Sequence, residues 1–187
     1  MCSIHGVNDS ELALAALLAE VTSASGYALA ALARTRGMER WAGLSATSVY
    51  QGLRKLENRG FVTSTPDTAK TGRGPAGRLS TLTGPGLESV RLELATALSD
   101  APEQSARYKV ALASVALLDA GVAAQRLTAR TLRLDERTRE VAAAQQRAER
   151  EDGSIGARLI FEYVRGALEY ELAAAHRLRD LLTKERP

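Results

Sequence analysis

The stretch LSATSVYQGLRKLENRGFVTST, Leu44 to Thr65, decides the fold that the sequence predicts. Val49, Leu53 and Leu56 recur at spacings of four and three residues, which places them on one side of a helix. Ser45 is a preferred residue for the N-cap of that helix. Its other side chains are mostly small polar groups and long hydrogen-bond donors. A helix that only packs on a core does not need them, whereas a helix that also lies on nucleic acid does.

The hydrophobic period changes after Gly60, a residue that suits the left-handed position at which helices end. FVTST (61–65) is aromatic and β-branched, as strands prefer, and RLSTLT (78–83) has the character of a returning strand. Between them, PDTAKTGRGPAG (66–77) is rich in turn-forming residues. The sequence therefore predicts a β-hairpin with a long basic tip that carries Lys70, Arg73 and Arg78.

Two more helices are predicted before the opening stretch. Asn8, Asp9 and Ser10 offer N-caps for the first helix, and Ser25 offers one for the second. The apolar positions are Leu14, Leu17, Leu18 and Val21 in the first helix, and Tyr27, Leu29, Leu32 and Ala33 in the second. Three helices followed by a hairpin describe a winged helix-turn-helix.

The second half of the chain predicts an antiparallel helical dimerisation domain. Pro102 marks the expected boundary, so that we expect domains at 8–100 and 103–187. A long helix with few apolar residues is expected after Asp119. The last helix carries one apolar face, formed by Leu159, Tyr163, Gly166, Tyr170 and Ala174. Because a long helix cannot bury a narrow apolar stripe alone, we expect the same helices of a second subunit to cover it.

Composition supports a mainly α protein. Of the 187 residues, 45% are hydrophobic and only 4% are aromatic, which favours packed helices over a large sheet. The net charge of +3 is modest. Between positions 34 and 78, however, nine Lys and Arg residues stand against three Asp and Glu residues. The positive charge is therefore concentrated around the predicted helix-turn-helix and hairpin.

Several classes of function are not expected. The single cysteine, Cys2, excludes an internal disulfide, and no apolar run or signal sequence indicates a membrane or secreted protein, so a cytoplasmic location is expected. His5 and His176 lack partners at metal-ligand spacing, so neither a metal nor another cofactor is expected. GRGPAGR (72–78) lacks the Lys and Ser or Thr of a P-loop. No nucleophile–base arrangement is evident, so the chain is not expected to be an enzyme.

Three segments resemble the PadR family of bacterial transcriptional regulators. SATSVYQGLRKLENRGFV (45–62) has the pattern Y-x-x-L-x-x-L, then E-x-x-G and two apolar residues. SGYALAAL (25–32) is similar to the family's second helix. RLSTLTGPG (78–86) is similar to the end of its wing, with Leu79 and Ser80 where the family has two tyrosines. The C-terminal half is similar to the longer PadR subfamily, whose helical tail swaps between subunits.

The resemblance implies a homodimeric, ligand-responsive repressor that binds double-stranded DNA. Helix 45–59 would lie in the major groove and the wing, 61–83, on the adjacent backbone. The side chains placed to reach base edges are Thr47, Ser48, Gln51 and Arg54, and those placed to reach phosphates are Tyr50, Lys55, Asn58, Lys70, Arg73 and Arg78. Gln pairs well with adenine and Arg with guanine.

Family members often respond to phenolic acids or other aromatic compounds, so a small aromatic effector is expected. The candidate effector-binding residues are Trp41, Tyr108, Tyr163 and Tyr170. Trp41 has two possible positions, in the core against the wing or in a pocket, and its large apolar area favours the core.

Two alternatives stay open. The first is a winged helix that serves as a protein-interaction scaffold and does not bind DNA, for which a neutral or acidic recognition face is expected. The second is a dimeric regulator of the MarR type. Those chains usually carry a long helix before the winged unit, whereas Leu12 here already belongs to its first helix.

Overall fold

The computed structural model describes residues 7–67, 77–151 and 153–184. The helices and strands follow in the order α1 (Asp9–Val21), β1 (Ser23–Ser25), α2 (Gly26–Thr35), α3 (Met38–Ala42), α4 (Ala46–Asn58), β2 (Val62–Pro66), β3 (Arg78–Leu82), α5 (Gly84–Asp100), α6 (Ala106–Ala113), α7 (Ala120–Glu151) and α8 (Ile155–Lys184). A short 3₁₀ turn, Val115–Leu117, precedes α7. The mainly α fold class is confirmed.

The described residues form two units. The N-terminal unit comprises 7–97 and 104–118, and the C-terminal unit comprises 98–103 and 119–184. Helix α6 therefore belongs to the N-terminal unit, and the last residues of α5 belong to the C-terminal unit. The division into domains at 8–100 and 103–187 stays a prediction.

Three helices of the N-terminal unit begin at the predicted N-caps. The side chains of Asn8, Ser25 and Ser45 each accept a hydrogen bond from the backbone N–H three residues on, at 2.9, 3.2 and 3.2 Å. Each bond satisfies one of the donors that the first turn of a helix leaves unpaired. The sequence thus determines where α1, α2 and α4 begin.

The core of the N-terminal unit is built around α1, which packs on α4 and α6. Leu12, Leu14, Leu17 and Leu18 of α1 are almost completely buried. Buried residues of the other elements complete this core, among them Leu29 and Ala33 of α2, Val49 and Leu56 of α4, and Phe61 and Val62 of the hairpin. The apolar stripe that the sequence predicts for α4 is therefore buried.

The predicted core face of α2 is wrong at Tyr27, whose side chain is 76% exposed. Leu29 and Ala33, four residues apart, define the buried side of the helix. At about 100° per residue, Tyr27 lies roughly 200° from Leu29 and so points away from it. The prediction that Val21 belongs to the apolar face of α1 is also wrong, because Val21 is the last residue of the helix and is 36% exposed.

The wing is a three-stranded antiparallel sheet in the order β1-β3-β2, rather than a hairpin alone. Residues 62–66 pair with 82–78, and Ser23–Ser25 pairs with 81–79. Strand β1 has only three residues, all small, and it lacks the alternation by which strands are recognised in a sequence. Helix α3 likewise occupies a segment that the sequence predicts only as a connection.

In the C-terminal unit, α7 and α8 form an antiparallel pair. Leu134 and Val141 of α7 pack with Leu168 of α8 in its core, and Phe161, Val164 and Leu172 are partly buried against them. Arg130 is fully buried; it forms an ion pair with Glu171 and donates a hydrogen bond of 2.8 Å to the carbonyl of Ala101.

One face of α8 is apolar and exposed. Leu159, Tyr163 and Tyr170, which the sequence places on a single face, are 60%, 68% and 69% exposed. Ile155 and Leu181 have similar exposure near the two ends of the helix. The stripe therefore stays outside the core of the C-terminal unit.

Within the described residues, no helix combines the length and the apolar character needed to span a bilayer.

Candidate nucleic-acid interface

Four polar side chains recur along one side of α4, at intervals of about one helical turn. Thr47, Gln51, Arg54 and Asn58 recur at four, three and four residues, and all are exposed. They lie opposite the buried residues of the same helix. Among the described residues, none of these four side chains has a hydrogen-bond or ion-pair partner. We call these four residues the outer face.

Ser48, at the start of α4, is engaged in its cap. Its Oγ donates to the Ser45 carbonyl at 2.9 Å and lies 3.0 Å from the Ser45 hydroxyl. The side chain is half-buried. Of the predicted base-contacting residues, Ser48 is therefore the one whose hydroxyl already stabilises the helix terminus.

Lys55 lies on the side of α4 that faces α1. Its Nζ is 2.9 Å from Oε1 of Glu11, a buried residue of α1. Glu11 is not among the functional residues that the sequence predicts. A signal was available, because Asn8 and Glu11 stand at the spacing of a capping box.

Tyr50 lies on the opposite side of α4, in an open cleft of about 580 Å³. The cleft separates α4 from the start of α2 and from the wing, and Tyr27 also lines it. Tyr50 is half-exposed and packs against Gly26, where an added Cβ would lie 2.7 Å from the ring. Tyr27 therefore lies on the surface of the cleft beside α4, whereas the sequence predicts it in the core.

Arg78, at the start of β3, spans the hairpin and α4. Its Nη2 donates to Glu57 Oε1 at 3.0 Å and to the Ser64 carbonyl at 3.1 Å. The other two basic residues of the predicted tip, Lys70 and Arg73, lie outside the described residues. Arg78 thus places one cation of the wing beside α4.

The four candidate effector-binding residues divide between the two units. In the N-terminal unit, Trp41 is half-buried and donates from Nε1 to the Arg36 carbonyl at 3.1 Å, while Tyr108 is buried. Tyr163 and Tyr170 are exposed on α8 in the C-terminal unit.

Two packed helices, α2 and α4, followed by a β-sheet wing define a winged helix-turn-helix protein. No protein-family model matches the sequence, and no curated protein matches it. Among solved structures, the chain is similar to Bacillus subtilis PadR in complex with operator DNA, at 16% identity and a TM-score of 0.41, over 92% of this chain and 98% of that one. It is also similar to Bacillus subtilis PadR in complex with p-coumaric acid, at 13% identity and a TM-score of 0.38, over 95% and 99%.

Proposed function

We propose that the protein is a sequence-specific DNA-binding transcriptional regulator that places α4 in the major groove. The observation that carries this proposal is the outer face of α4. Polar side chains in a row, opposite a buried stripe and without partners among the residues that the structure describes, form a surface whose hydrogen-bonding capacity is directed outward. The first helix of such a motif supports the second, which is inserted into the groove.

Within the outer face, Gln51 and Arg54 carry the most base-specific chemistry. A Gln amide pairs with the N6 and N7 positions of adenine, and an Arg guanidinium pairs with O6 and N7 of guanine. Thr47 and Asn58 extend the same row by one turn at each end. Ser48 is proposed to contact DNA as well, with its hydroxyl still bonded to Ser45 at the start of the helix.

Phosphate contacts are proposed on the two sides of this row. Tyr50 and Arg78 lie on the wing side, and Lys70 and Arg73, which the sequence predicts to lie in the hairpin tip, are proposed to extend the same contact. Arg78 is exposed at 64% and its partner Glu57 at 38%, and exposed ion pairs contribute little stability. A phosphate can therefore replace Glu57 as the partner of Arg78. On the other side of α4, Lys55 reaches a phosphate only when Glu11 releases it.

The protein is proposed to act as a homodimer through α7 and α8. The exposed stripe of α8 is about 40 Å long at 1.5 Å per residue, from Ile155 to Leu181. A second copy of this chain offers an equally long apolar face, and an isologous contact covers both faces at once. Two N-terminal units then contact half-sites about 34 Å apart, one helical turn of DNA.

Control by a small aromatic effector is proposed as well, with repression released when the ligand favours a dimer that does not fit the operator. Trp41, the single tryptophan, reports on this directly. Quenching of its fluorescence by a phenolic acid such as p-coumaric acid, together with weaker operator binding, supports the proposal. Fluorescence and operator affinity that both stay unchanged over a panel of such acids contradict it.

The decisive experiment is a mobility shift with the DNA upstream of the protein's own gene, at about 50 and 200 mM salt and with unrelated DNA as competitor. We expect a discrete complex that resists the competitor. Arg54→Ala and Gln51→Ala should each weaken it by about 1–3 kcal/mol, roughly 5- to 150-fold, because each removes a bidentate base contact. Arg137→Ala, which removes an exposed cation from α7, should leave the affinity unchanged.

Unchanged operator affinity of both α4 variants would contradict the assignment of α4 to the major groove. If unrelated DNA displaces the protein as readily as unlabelled operator DNA does, sequence specificity is contradicted. A protein-interaction scaffold would then be the better description, and a search for protein partners would follow.

A further inference from the structure

Glu11 of α1 is a buried acidic residue that faces the last turns of α4. It is 6% exposed. Its Oε1 accepts a hydrogen bond from Lys55 Nζ at 2.9 Å and from Asn8 Nδ2 at 3.3 Å. Its Oε2 lies 4.0 Å from Nη1 of Arg59. One buried carboxylate thus contacts Lys55 of the helix proposed to bind DNA and lies near Arg59, the C-cap residue of that helix.

The local sequence predicts a different partner for Glu11. Asn8 caps α1, and a Glu three residues later usually turns back to the backbone N–H of the cap residue. Here the carboxylate is directed to α4. Because a buried carboxylate is costly unless it is paired and hydrogen-bonded, the core holds the ammonium group of Lys55 beside α1.

Lys55 is close to the outer face of α4 that is proposed to bind DNA. It follows Gln51 by four residues, one helical turn, and its side chain is 59% exposed. An exposed lysine at this place is normally available to a phosphate. We infer that Glu11 holds Lys55 away from DNA phosphates and thereby limits the affinity of the protein for DNA of any sequence. This inference rests on the proposed function.

The ion pair between Glu11 and Lys55 has a more deeply buried carboxylate than the ion pair between Glu57 and Arg78 in the wing. The side chain of Glu57, the partner of Arg78, is 38% exposed, whereas that of Glu11 is 7% exposed. Water screens the first pair and supplies Glu57 with other hydrogen bonds when Arg78 leaves. Glu11 has no comparable access to water, so the departure of Lys55 leaves a buried charge with fewer partners. Glu11 therefore competes with phosphate more strongly than Glu57 does.

The test compares salt dependence in Glu11→Gln and Glu20→Gln. Glutamine keeps the shape of Glu11 and removes its charge, so that Lys55 can turn to solvent. Glu20 is the matched control, because it lies on the same helix and pairs with Arg36 at the surface. The readout is the slope of log affinity against log salt for random-sequence duplex DNA. Thermal unfolding of each variant shows that it is folded.

In Glu11→Gln the slope should steepen by about 0.9 for each N-terminal unit on the DNA, the value of one added phosphate contact. At 0.1 M salt this corresponds to about eightfold tighter binding, by extrapolation from 1 M. Glu20→Gln should keep the wild-type slope. A structural role of Glu11 alone would change the melting temperature and not the slope.

Lys55→Gln completes the test. Because Glu11 holds Lys55 in the wild type, Lys55→Gln should flatten the wild-type slope by clearly less than the value of about 0.9 for a full phosphate contact. In the double variant Glu11→Gln/Lys55→Gln the steeper slope should return to the wild-type value. Lys55 is on the surface, so the single variant decides the question even if Glu11→Gln does not fold.

The inference is overturned if Glu11→Gln and Glu20→Gln have the same slope, or if Lys55→Gln alone flattens the slope by about 0.9. Both results leave DNA binding itself intact. A wild-type protein that binds no DNA overturns the proposed function, and the inference with it.

Discussion

At the scale of single residues, Gly86 lies too close to a neighbouring segment to admit a side chain without movement. A Cβ there would lie 2.2 Å from the carbonyl oxygen of Phe61. Thr83 joins the same segments, since its hydroxyl donates to the Gly60 carbonyl at 2.9 Å and accepts from the Gly86 N–H at 3.0 Å. These two hydrogen bonds hold the start of α5 against the end of α4 and the beginning of the wing.

We predict that Gly86→Ala destabilises the protein by about 1–3 kcal/mol, because the backbone must move to admit the methyl group. Gly84→Ala is the matched control, since nothing lies within 4 Å of its Cβ position. It should be neutral or slightly stabilising. Urea denaturation followed by circular dichroism measures both. Equal stability of the two variants would contradict the close approach at Gly86.

At the scale of elements, the orientation of α2 decides which of its side chains reach solvent. Leu29 is fully buried and Tyr27 is 76% exposed. The two residues are separated by roughly 200° around the helix. This orientation brings Tyr27 to the cleft beside α4.

Replacement of these two residues by alanine should therefore have very different effects. Leu29→Ala should cost about 2–5 kcal/mol of unfolding free energy, because it creates a cavity in the core. Tyr27→Ala should change that free energy by no more than about 0.5 kcal/mol. The denaturation midpoints of both variants, measured side by side, provide the check. A large loss in Tyr27→Ala would place the ring in the core after all.

At the scale of the whole molecule, the exposed apolar face of α8 is the surface proposed to form the homodimer. Leu159, Tyr163 and Tyr170 recur at one face over about three turns. The buried core between α7 and α8 uses other residues, such as Leu134 and Leu168. The two sets of apolar residues are therefore distinct, and only one of them is covered by the C-terminal unit itself.

We predict that Leu159→Asp combined with Tyr163→Asp converts a dimer into a monomer of 20.0 kDa, because charge at these positions opposes burial against the partner. Light scattering after size-exclusion chromatography gives the mass. Gln146→Asp, at an exposed polar position of α7, should remain dimeric. A wild-type protein that is monomeric at all concentrations would refute the homodimer.

The elements that depend on local interactions can be predicted from the sequence alone. Side-chain caps at Asn8, Ser25 and Ser45 and a positive φ at Gly60 were predictable, because each satisfies or relaxes the backbone of its own segment. The buried stripe of α4 was predictable from its helical period. So was the outer face, since it is the complement of that stripe.

Which polar residues remain available for binding, and how short segments pair, depends on the folded chain. Strand β1 exists because β3 offers it a hydrogen-bonding edge, and its own three residues carry no pattern. Arg54 and Lys55 are adjacent cations in the sequence. Arg54 nevertheless points outward, whereas Lys55 donates a hydrogen bond to Glu11, which lies 44 residues earlier in the chain. The physical reason is that a local pattern specifies the face of a helix, while charge pairing and strand pairing depend on distant segments that only the folded chain brings into contact.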